Sequence, residues 1–351
     1  MTTDRSIAAR RKEILRQLFP TGIPMLWCPA LTHYDSQGAI DGARIAAHLE
    51  HISPHVKGLL IPGSTGDGWE LTDQETRQLL EIALDQAQRL KLYLLIGALK
   101  PNAAAALRMI RDTVDWIKQR AGETDTNLSL SKARVCGFTV CPPRGEQLTQ
   151  DKIRDDLELI LKSGLPTALY QLPQVTQNEI GPELASDLAA RFENFIFLKD
   201  TSGADRIALS GKDLAGVFVV RGMEGDYAQW LKAAGGLYDG FLLSTANCFA
   251  GELSQIIRDA AAGRSDAARE TSARITGVVN EVFQAVVHVP TGNPFANANK
   301  AIDHCRAYGR NAQAAPLPRL HGGTSLPIEA IRAAVDSLDC HGFAPRNGYL
   351  A

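Results

Sequence analysis

The stretch FENFIFLKDTSGAD, residues 192–205, decides the fold class of this chain. Four consecutive apolar residues, 195–198, run without alternation and are followed by Lys199 and an Asp-Thr-Ser-Gly turn. Such a run is typical of a parallel strand that is buried on both faces. Lys199 then stands at the carboxyl end of a buried strand, where an ammonium group is unfavourable unless it has a function. The alternative interpretation is a lysine that simply emerges into solvent where the strand ends.

Short apolar runs of this kind recur along the chain, each followed by turn residues and a helical stretch. They lie at 21–31, 58–63, 92–97, 135–142, 166–173, 195–200, 217–223 and 238–245. Eight strands that alternate with helices predict an α/β fold, a (β/α)₈ TIM barrel. One helical segment opens with Thr72 and carries Glu75 three residues later, which is the pattern of a capping box.

The predicted domain organisation has three parts. Residues 1–20 form an N-terminal helical lead-in, residues 21–250 the barrel, and residues 251–351 a C-terminal α-helical extension. Helical segments are predicted near 248–263, 265–288, 296–308 and 326–338. The polar segment 121–133 is predicted to be a surface insertion before the fourth strand.

Composition narrows the classes of function. The chain has 351 residues, 45% hydrophobic and 22% charged, with a net charge of −2, so no global field favours nucleic acid or a membrane surface. No signal peptide or membrane-spanning window is predicted, and the six cysteines form no C-x-x-C pair. We therefore expect a cytoplasmic protein with reduced thiols. His48 and His51 are a possible zinc pair, but their helix is expected to face outward and no third ligand is evident, so no metal is predicted.

In a TIM barrel the active site lies at the carboxyl ends of the strands. This sequence places a Gly-Ser-Thr-Gly turn, a tyrosine and a lysine there, at 63–66, Tyr170 and Lys199. Lysine has one special use in such a place, the formation of a Schiff base with a ketone. An amine that is desolvated by apolar neighbours has a lowered pKa and attacks in its neutral form, and a nearby tyrosine can move protons.

Four segments carry a resemblance to a known family: GSTGDGWELT, ALYQLP, FLKDTSG and GFLLSTAN, in that order and on those strands. Residues 20–310 resemble the dihydrodipicolinate synthase / N-acetylneuraminate lyase family. The resemblance implies a barrel enzyme that acts on pyruvate or another 2-keto acid through a lysine imine. It also implies that no metal or organic cofactor is needed, and that the protein is a homotetramer or homodimer.

The resemblance assigns roles to four residues. Lys199 matches the lysine that forms the imine, and Tyr170 matches the phenol that shuttles protons. Ser64 and Thr65 match the residues that hold the keto-acid carboxylate, with Thr65 also passing protons to Tyr170.

The branch of the family that cleaves sialic acid is similar in three places. By that similarity Thr201, Glu224 and Ser244 hydrogen-bond the hydroxylated tail of a sugar acid. Gly225 stands where that branch has a second acidic residue, so the similarity does not establish sialic acid itself as the substrate.

Two further positions depart from the family pattern. Val175 replaces the arginine of the branch that condenses aspartate semialdehyde, and a valine cannot make the bidentate bond to a carboxylate, which speaks against dihydrodipicolinate synthesis. Arg144 stands where the family usually has a tyrosine that enters the neighbouring subunit's proton relay. Arg144 either binds a second substrate carboxylate or is a surface residue.

The favoured hypothesis is a class I aldolase or lyase that joins or separates pyruvate and an aldehyde, with a substrate of the sugar-acid type. A 2-keto-3-deoxy acid dehydratase, or a hydratase-aldolase of the same family, is the alternative within that chemistry. A catalytically silent protein that senses a keto acid is the alternative outside it. A flavin or phosphate-sugar barrel ranks last, because the ends of the seventh and eighth predicted strands lack a glycine-rich phosphate site.

Overall fold

The structure, a computed structural model, describes residues 6–350. The first five residues of the predicted lead-in lie outside the described residues. Residues 6–350 contain eight strands in one closed barrel, ordered as in the chain: β1 (Leu26–Pro29), β2 (Gly58–Ile61), β3 (Tyr93–Gly97), β4 (Val135–Val140), β5 (Thr167–Gln171), β6 (Phe195–Asp200), β7 (Phe218–Arg221) and β8 (Gly240–Leu242). Each predicted apolar run contains one of them, and the TIM barrel is confirmed.

Helices follow the strands and continue after the last one. Those up to β8 are α1 (Ile7–Leu18), α2 (Gly42–Ile52), α3 (Asp73–Leu90), α4 (Ala103–Ala121), α5 (Thr126–Lys132), α6 (Gln150–Leu161), α7 (Pro173–Thr176), α8 (Pro182–Arg191), α9 (Arg206–Leu209) and α10 (Tyr227–Trp230). Those after β8 are α11 (Ala250–Ala261), α12 (Ser265–Val286), α13 (Pro294–Tyr308) and α14 (Ile328–Cys340). The four late helices agree with the four predicted segments.

Contacts between Cα atoms divide the chain into two compact units. The first contains the chain up to Met25 together with residues 93–223 and 237–241; the second contains residues 26–92, 224–236 and 242 onward. In the first unit Tyr170 of β5 lies opposite Lys199 of β6. The amino end of β6 is anchored by Arg11 of α1, which is fully buried and donates a 2.7 Å hydrogen bond to the carbonyl oxygen of Phe195.

In the second unit β1 pairs with β2, and Trp27 lies opposite Gly58. A Cβ atom at Gly58 would lie 2.2 Å from the Trp27 ring, so only glycine leaves room for the buried indole. In the same unit α12 packs against α11, α13 and α14. The C-terminal helices therefore bury their apolar faces against one another.

The capping box of α3 is confirmed. The Thr72 side chain accepts a hydrogen bond from the Glu75 backbone, and the Glu75 carboxylate accepts one from the Thr72 backbone at 2.8 Å. All six cysteines are free; Cys340 is exposed and the others are buried. No helix among residues 6–350 combines the length and the apolar character that a membrane crossing requires.

The polar segment 121–133 lies before β4 as predicted; most of its residues are at least partly exposed, and it contains the short helix α5, whose first turn is capped by Asp125. One expectation needs correction. The prediction that α2 turns its histidines outward is wrong for His48, which is fully buried. Its Nε2 lies 3.0 Å from the carbonyl oxygen of Asn247, and its Nδ1 lies 3.2 Å from Nε2 of His33.

Candidate active site

Lys199 is a buried lysine at the carboxyl end of β6. Its side chain is 4% exposed, so the alternative of a lysine that emerges into solvent is wrong. Its Nζ lies 4.0 Å from the centroid of the Tyr170 ring, in the range of a cation–π contact. The buried residues 195–198 before it follow from the unalternating apolar run in the sequence.

Tyr170 occupies the matching position on β5 and is 2% exposed. Burial and the neighbouring thiol of Cys141 raise the pKa of this phenol well above its usual range, and the Thr201 hydroxyl lowers it. A phenol with a raised pKa keeps its proton at neutral pH and can donate it. Thr201 as a residue is half-buried, and its hydroxyl oxygen is buried.

Cys141 is a residue that the sequence reasoning did not single out. It directly follows β4, and Val140 pairs with Leu169, so Cys141 continues the row formed by Tyr170 and Lys199. The thiol is buried; burial raises its pKa, and the charges of Lys199 and Arg144 lower it. Its place after a predicted strand, next to the one that ends in a tyrosine, is the signal that could have identified it.

Gly222, directly after β7, leaves space for the lysine. A Cβ atom there would lie 2.7 Å from Cε of Lys199 and 2.2 Å from Oγ1 of Thr201. Both distances are too short for real atoms, so the absence of a side chain at Gly222 permits the observed positions of the lysine and the threonine.

A buried polar network supports the end of β6 on its other face, because successive strand residues point to opposite faces. Asp200 accepts a 2.9 Å hydrogen bond from the Ser202 backbone, and burial raises the pKa of its carboxyl. Arg221 donates two 3.2 Å hydrogen bonds to Asp205. Tyr238 donates to both carboxylates, and its hydroxyl lies 3.4 Å from Asp200.

Arg144 lies three residues past Cys141, and its side chain is exposed. Its backbone N–H donates a 2.9 Å hydrogen bond to the carbonyl oxygen of Pro101, which fixes the chain after β4. An exposed guanidinium is compatible with both sequence interpretations, since a rim residue can meet a substrate carboxylate and a surface residue can remain in water.

In the second unit Ser64 and Thr65 lie in a single 3₁₀ turn, Ser64–Gly66, directly after β2. Thr65 is 6% exposed and Ser64 is half-buried. The Thr32 hydroxyl donates a 2.7 Å hydrogen bond to the carbonyl oxygen of Gly66, where a Cβ atom would lie 2.4 Å from the oxygen of Ala30. The turn is therefore close-packed against the end of β1.

A buried ion pair that the sequence reasoning missed supports the same turn. Nζ of Lys300, on α13, lies 3.0 Å from Oδ2 of Asp67, and both residues are 2% exposed. Tyr34 donates a 3.0 Å hydrogen bond to the same oxygen. The sequence signal was a lysine in the apolar part of a predicted helix, but its partner is 233 residues away.

Glu224 and Ser244 are brought together in the second unit. The Ser244 hydroxyl donates to Oε1 of Glu224 at 2.6 Å. Glu224 also accepts from the backbone and hydroxyl of Thr245, at 3.1 and 2.6 Å, and from the Tyr227 hydroxyl at 2.9 Å. Four donors occupy the roughly four lone-pair sites of a carboxylate. Glu224 is thus fully hydrogen-bonded by its own chain.

His33, His48 and Asp303 form another buried cluster of the second unit. Asp303 is paired with Arg44 at 2.5 Å and accepts a 2.7 Å hydrogen bond from the Tyr349 hydroxyl. Within residues 6–350 no group of three histidine, cysteine, aspartate or glutamate side chains is arranged to hold a metal ion.

The closed barrel and the buried lysine define the class: a (β/α)₈ barrel protein with a buried amine at the carboxyl end of a strand. The model of the Dihydrodipicolinate synthetase family matches residues 129–296, a range that contains both Tyr170 and Lys199. The chain is similar to this family over that range. Members of the family are lyases, and the protein is accordingly an enzyme of that kind.

Individual proteins are similar to this chain in sequence or in fold. The 4-hydroxy-tetrahydrodipicolinate synthase of Stenotrophomonas maltophilia is 27% identical over 248 residues, which cover 70% of this chain and 76% of that protein. The crystal structure of YagE from Escherichia coli K12, in complex with pyruvate, has a TM-score of 0.70 at 19% identity and covers 92% of this chain and 99% of that one. A variant of the 2-keto-3-deoxygluconate aldolase of Sulfolobus solfataricus has a TM-score of 0.69 at 17% identity and covers 91% of this chain and 98% of that one.

Proposed function

We propose that the protein is a class I aldolase or lyase that forms an imine between Lys199 and the C2 ketone of a 2-keto acid. The observation that carries the proposal is the burial of Lys199 at the carboxyl end of β6, with its Nζ 4.0 Å from the Tyr170 ring. The carboxyl ends of barrel strands carry the active site in this fold class. A buried amine without such a function would be destabilising.

The chemistry follows from these groups. The neutral amine of Lys199 attacks C2, and the carbinolamine loses its hydroxyl as water with a proton from the Tyr170 phenol. The C3–C4 bond then breaks, its electron pair enters the imine, and the C4 hydroxyl gives its proton to the phenolate. An aldehyde leaves, and the Tyr170 phenol gives its proton to C3 of the enamine. Water then adds to C2 of the imine and gives a proton to the phenolate, and the C–N bond breaks to release pyruvate and neutral Lys199.

Thr65 and Ser64 complete the proposed site. Their hydroxyls hold the keto-acid carboxylate, and Thr65 passes protons to Tyr170. Hydroxyl groups and the backbone of a tight turn suit a carboxylate, since both supply donors without a charge that must be buried. Pyruvate and an aldehyde are the proposed small-molecule partners. The proposed assembly is a homotetramer or homodimer, and the imine chemistry requires neither a metal nor an organic cofactor.

The proposed substrate class is a 2-keto acid of the sugar-acid type. Two of the similar structures support it, one solved with pyruvate and one of a 2-keto-3-deoxygluconate aldolase. Val175 is half-buried on α7 and offers no guanidinium to a second carboxylate, which speaks against the activity named in the Stenotrophomonas relative. Thr201 is proposed to bind the hydroxylated tail. Glu224 and Ser244 are proposed to bind the same tail, with a substrate hydroxyl replacing one of the present donors to Glu224.

The test is product analysis with a panel of 2-keto-3-deoxy sugar acids and 4-hydroxy-2-keto acids, and with pyruvate plus aspartate semialdehyde. Cleavage releases equal amounts of pyruvate and an aldehyde, whereas a dehydratase gives a product that keeps every carbon and has lost water. We expect Lys199→Ala to abolish turnover. Lys212→Ala, at an exposed lysine of the same unit, is the matched control and should keep full activity. Full activity in Lys199→Ala would contradict the imine mechanism.

A further inference from the structure

We propose that Lys300 is a positioning residue for the turn that carries Ser64 and Thr65. The inference rests on the proposed function, in which this turn binds the keto-acid carboxylate. Helix α13 holds the turn at two points. Nδ2 of Asn293, the residue that caps α13, donates a 2.9 Å hydrogen bond to the carbonyl oxygen of Ser64, and Nζ of Lys300 lies 3.0 Å from Oδ2 of Asp67.

The second contact, between Lys300 and Asp67, is a buried ion pair. Lys300 and Asp67 are each 2% exposed, and Tyr34 donates a 3.0 Å hydrogen bond to the same carboxylate oxygen. Nζ of Lys300 also lies 4.8 Å from the centroid of the Tyr34 ring. Removing one partner from such a pair leaves a buried charge, so the pair is far more sensitive to substitution than a surface ion pair.

The geometry of the turn explains why such a pair is placed there. Asp67 has a left-handed backbone, with φ 59°, which reverses the chain directly after Thr65 and Gly66. An apolar pair of similar volume would give comparable stability, but it would not fix the direction of the chain. The ion pair and the Asn293 bond together hold both ends of the turn, so the hydroxyls of Ser64 and Thr65 stay in one orientation.

The experiment measures pyruvate binding at Lys199 by trapping the imine with borohydride over a range of pyruvate concentrations. The half-saturating concentration does not depend on how much protein is folded, whereas the amount trapped at saturation does. We expect Lys300→Met to raise the half-saturating pyruvate concentration at least about tenfold, the effect of losing one charge-assisted contact. Asn293→Ala, which removes only the neutral bond to Ser64, should raise it less.

Arg306→Met is the matched control. It removes an ion pair of the same helix, with Glu252 at 2.9 Å, and should leave the half-saturating concentration within about twofold of wild type. Should Lys300→Met also stay within that range, the positioning role is wrong. If the single variant does not fold, the same titration is made with the double variant Lys300→Met/Asp67→Asn, which leaves no unpaired buried charge.

The double variant should remain impaired, because the contact is still missing. Recovery to the wild-type value would show that the single variant suffers from an uncompensated charge and would overturn the proposal. Absence of any trapped adduct in the wild-type protein contradicts the proposed function instead, so the two failures are distinguishable.

Discussion

At the scale of single residues, the position of Lys199 depends on the small size of its neighbour Gly222. The row of strand residues that contains Lys199 also holds Cys141, Tyr170 and, on β7, Val220. Cε of Lys199 occupies space that a side chain at Gly222 would need, because a Cβ atom there would lie 2.7 Å from it. The φ angle of Gly222 is not in the left-handed region, so the backbone there does not require glycine. Glycine is needed instead because a side chain would displace the Lys199 amine.

We predict that Gly222→Ala lowers turnover by at least about tenfold, because the new methyl group pushes Lys199 or Thr201 away from its position. Overpacking of this kind typically destabilises by about 1–3 kcal/mol, so most of the protein should still fold. The measurement is kcat and KM with the best substrate of the panel, together with a urea unfolding curve.

Gly251→Ala is the control for that substitution. Gly251 lies within α11, and its new Cβ would make only an ordinary 3.4 Å contact with His55. It should keep full activity and gain a little stability from the better helix propensity of alanine. Equal activity of both glycine variants would mean that the space beside Lys199 is not used in catalysis.

The residue scale also shows where sequence reasoning ends. Lys199 and Tyr170 could be found because each directly follows or belongs to a short apolar run, and strand order brings their positions together. Lys300 could not, because its role depends on Asp67, 233 residues earlier in the chain. The four donors around Glu224 come from three separate residues and depend on side-chain directions that no spacing rule gives.

At the scale of elements, local sequence signals fix where helices begin. Helix α3 starts after a reciprocal capping box, and α6 starts after Thr149, whose side chain accepts a hydrogen bond from the Lys152 backbone. The segment 121–133 is polar and mostly exposed, as expected for a surface insertion. Within it, Asp125 caps the short helix α5, which buries Ser129 and Leu130.

We predict that Thr72→Ala lowers the free energy of unfolding by about 1 kcal/mol, because it removes the acceptor for the Glu75 backbone. Thr72→Ser keeps the hydroxyl and should lie close to wild type. Urea unfolding followed by circular dichroism gives both values. A Thr72→Ala variant as stable as Thr72→Ser would show that solvent replaces the cap without loss.

At the scale of the whole molecule, the barrel was predictable because eight apolar runs and their helices follow one another in strand order. The buried histidine cluster of the second unit was not predictable. The spacing of His48 and His51 indicates a helix face but not which way it points. His33 and Asp303, which complete the cluster with Arg44, come from distant parts of the sequence.

This cluster predicts how stability depends on pH. Burial lowers the pKa of His33 and of His48, and the charge of Arg44 lowers both further, although Asp303 raises them. The unfolded state, with a histidine pKa of about 6.5, then binds more protons below that pH than the folded state does. Stability should therefore fall as the pH decreases from 7 towards 5, by up to about 1.4 kcal/mol per pH unit for each histidine.

The lowered pKa of Asp303 does not change this window. Burial opposes its ionisation, but the charge of Arg44 and the hydrogen bond from Tyr349 help to hold the pKa of Asp303 below its usual range, so its contribution is lost only at more acidic pH. Urea midpoints at a series of pH values give the slope. His33→Gln should reduce it, and His288→Gln, at an exposed position, should not. A flat profile between pH 7 and 5 would contradict the assignment of neutral buried histidines.

The most direct test of the central claim is mass spectrometry of the protein after incubation with pyruvate and borohydride. The account predicts a reduced pyruvyl adduct on the peptide that contains Lys199, present in Tyr170→Phe at a lower rate of formation and absent in Lys199→Ala. An unmodified Lys199 peptide at saturating pyruvate, or an adduct on another lysine, would contradict it.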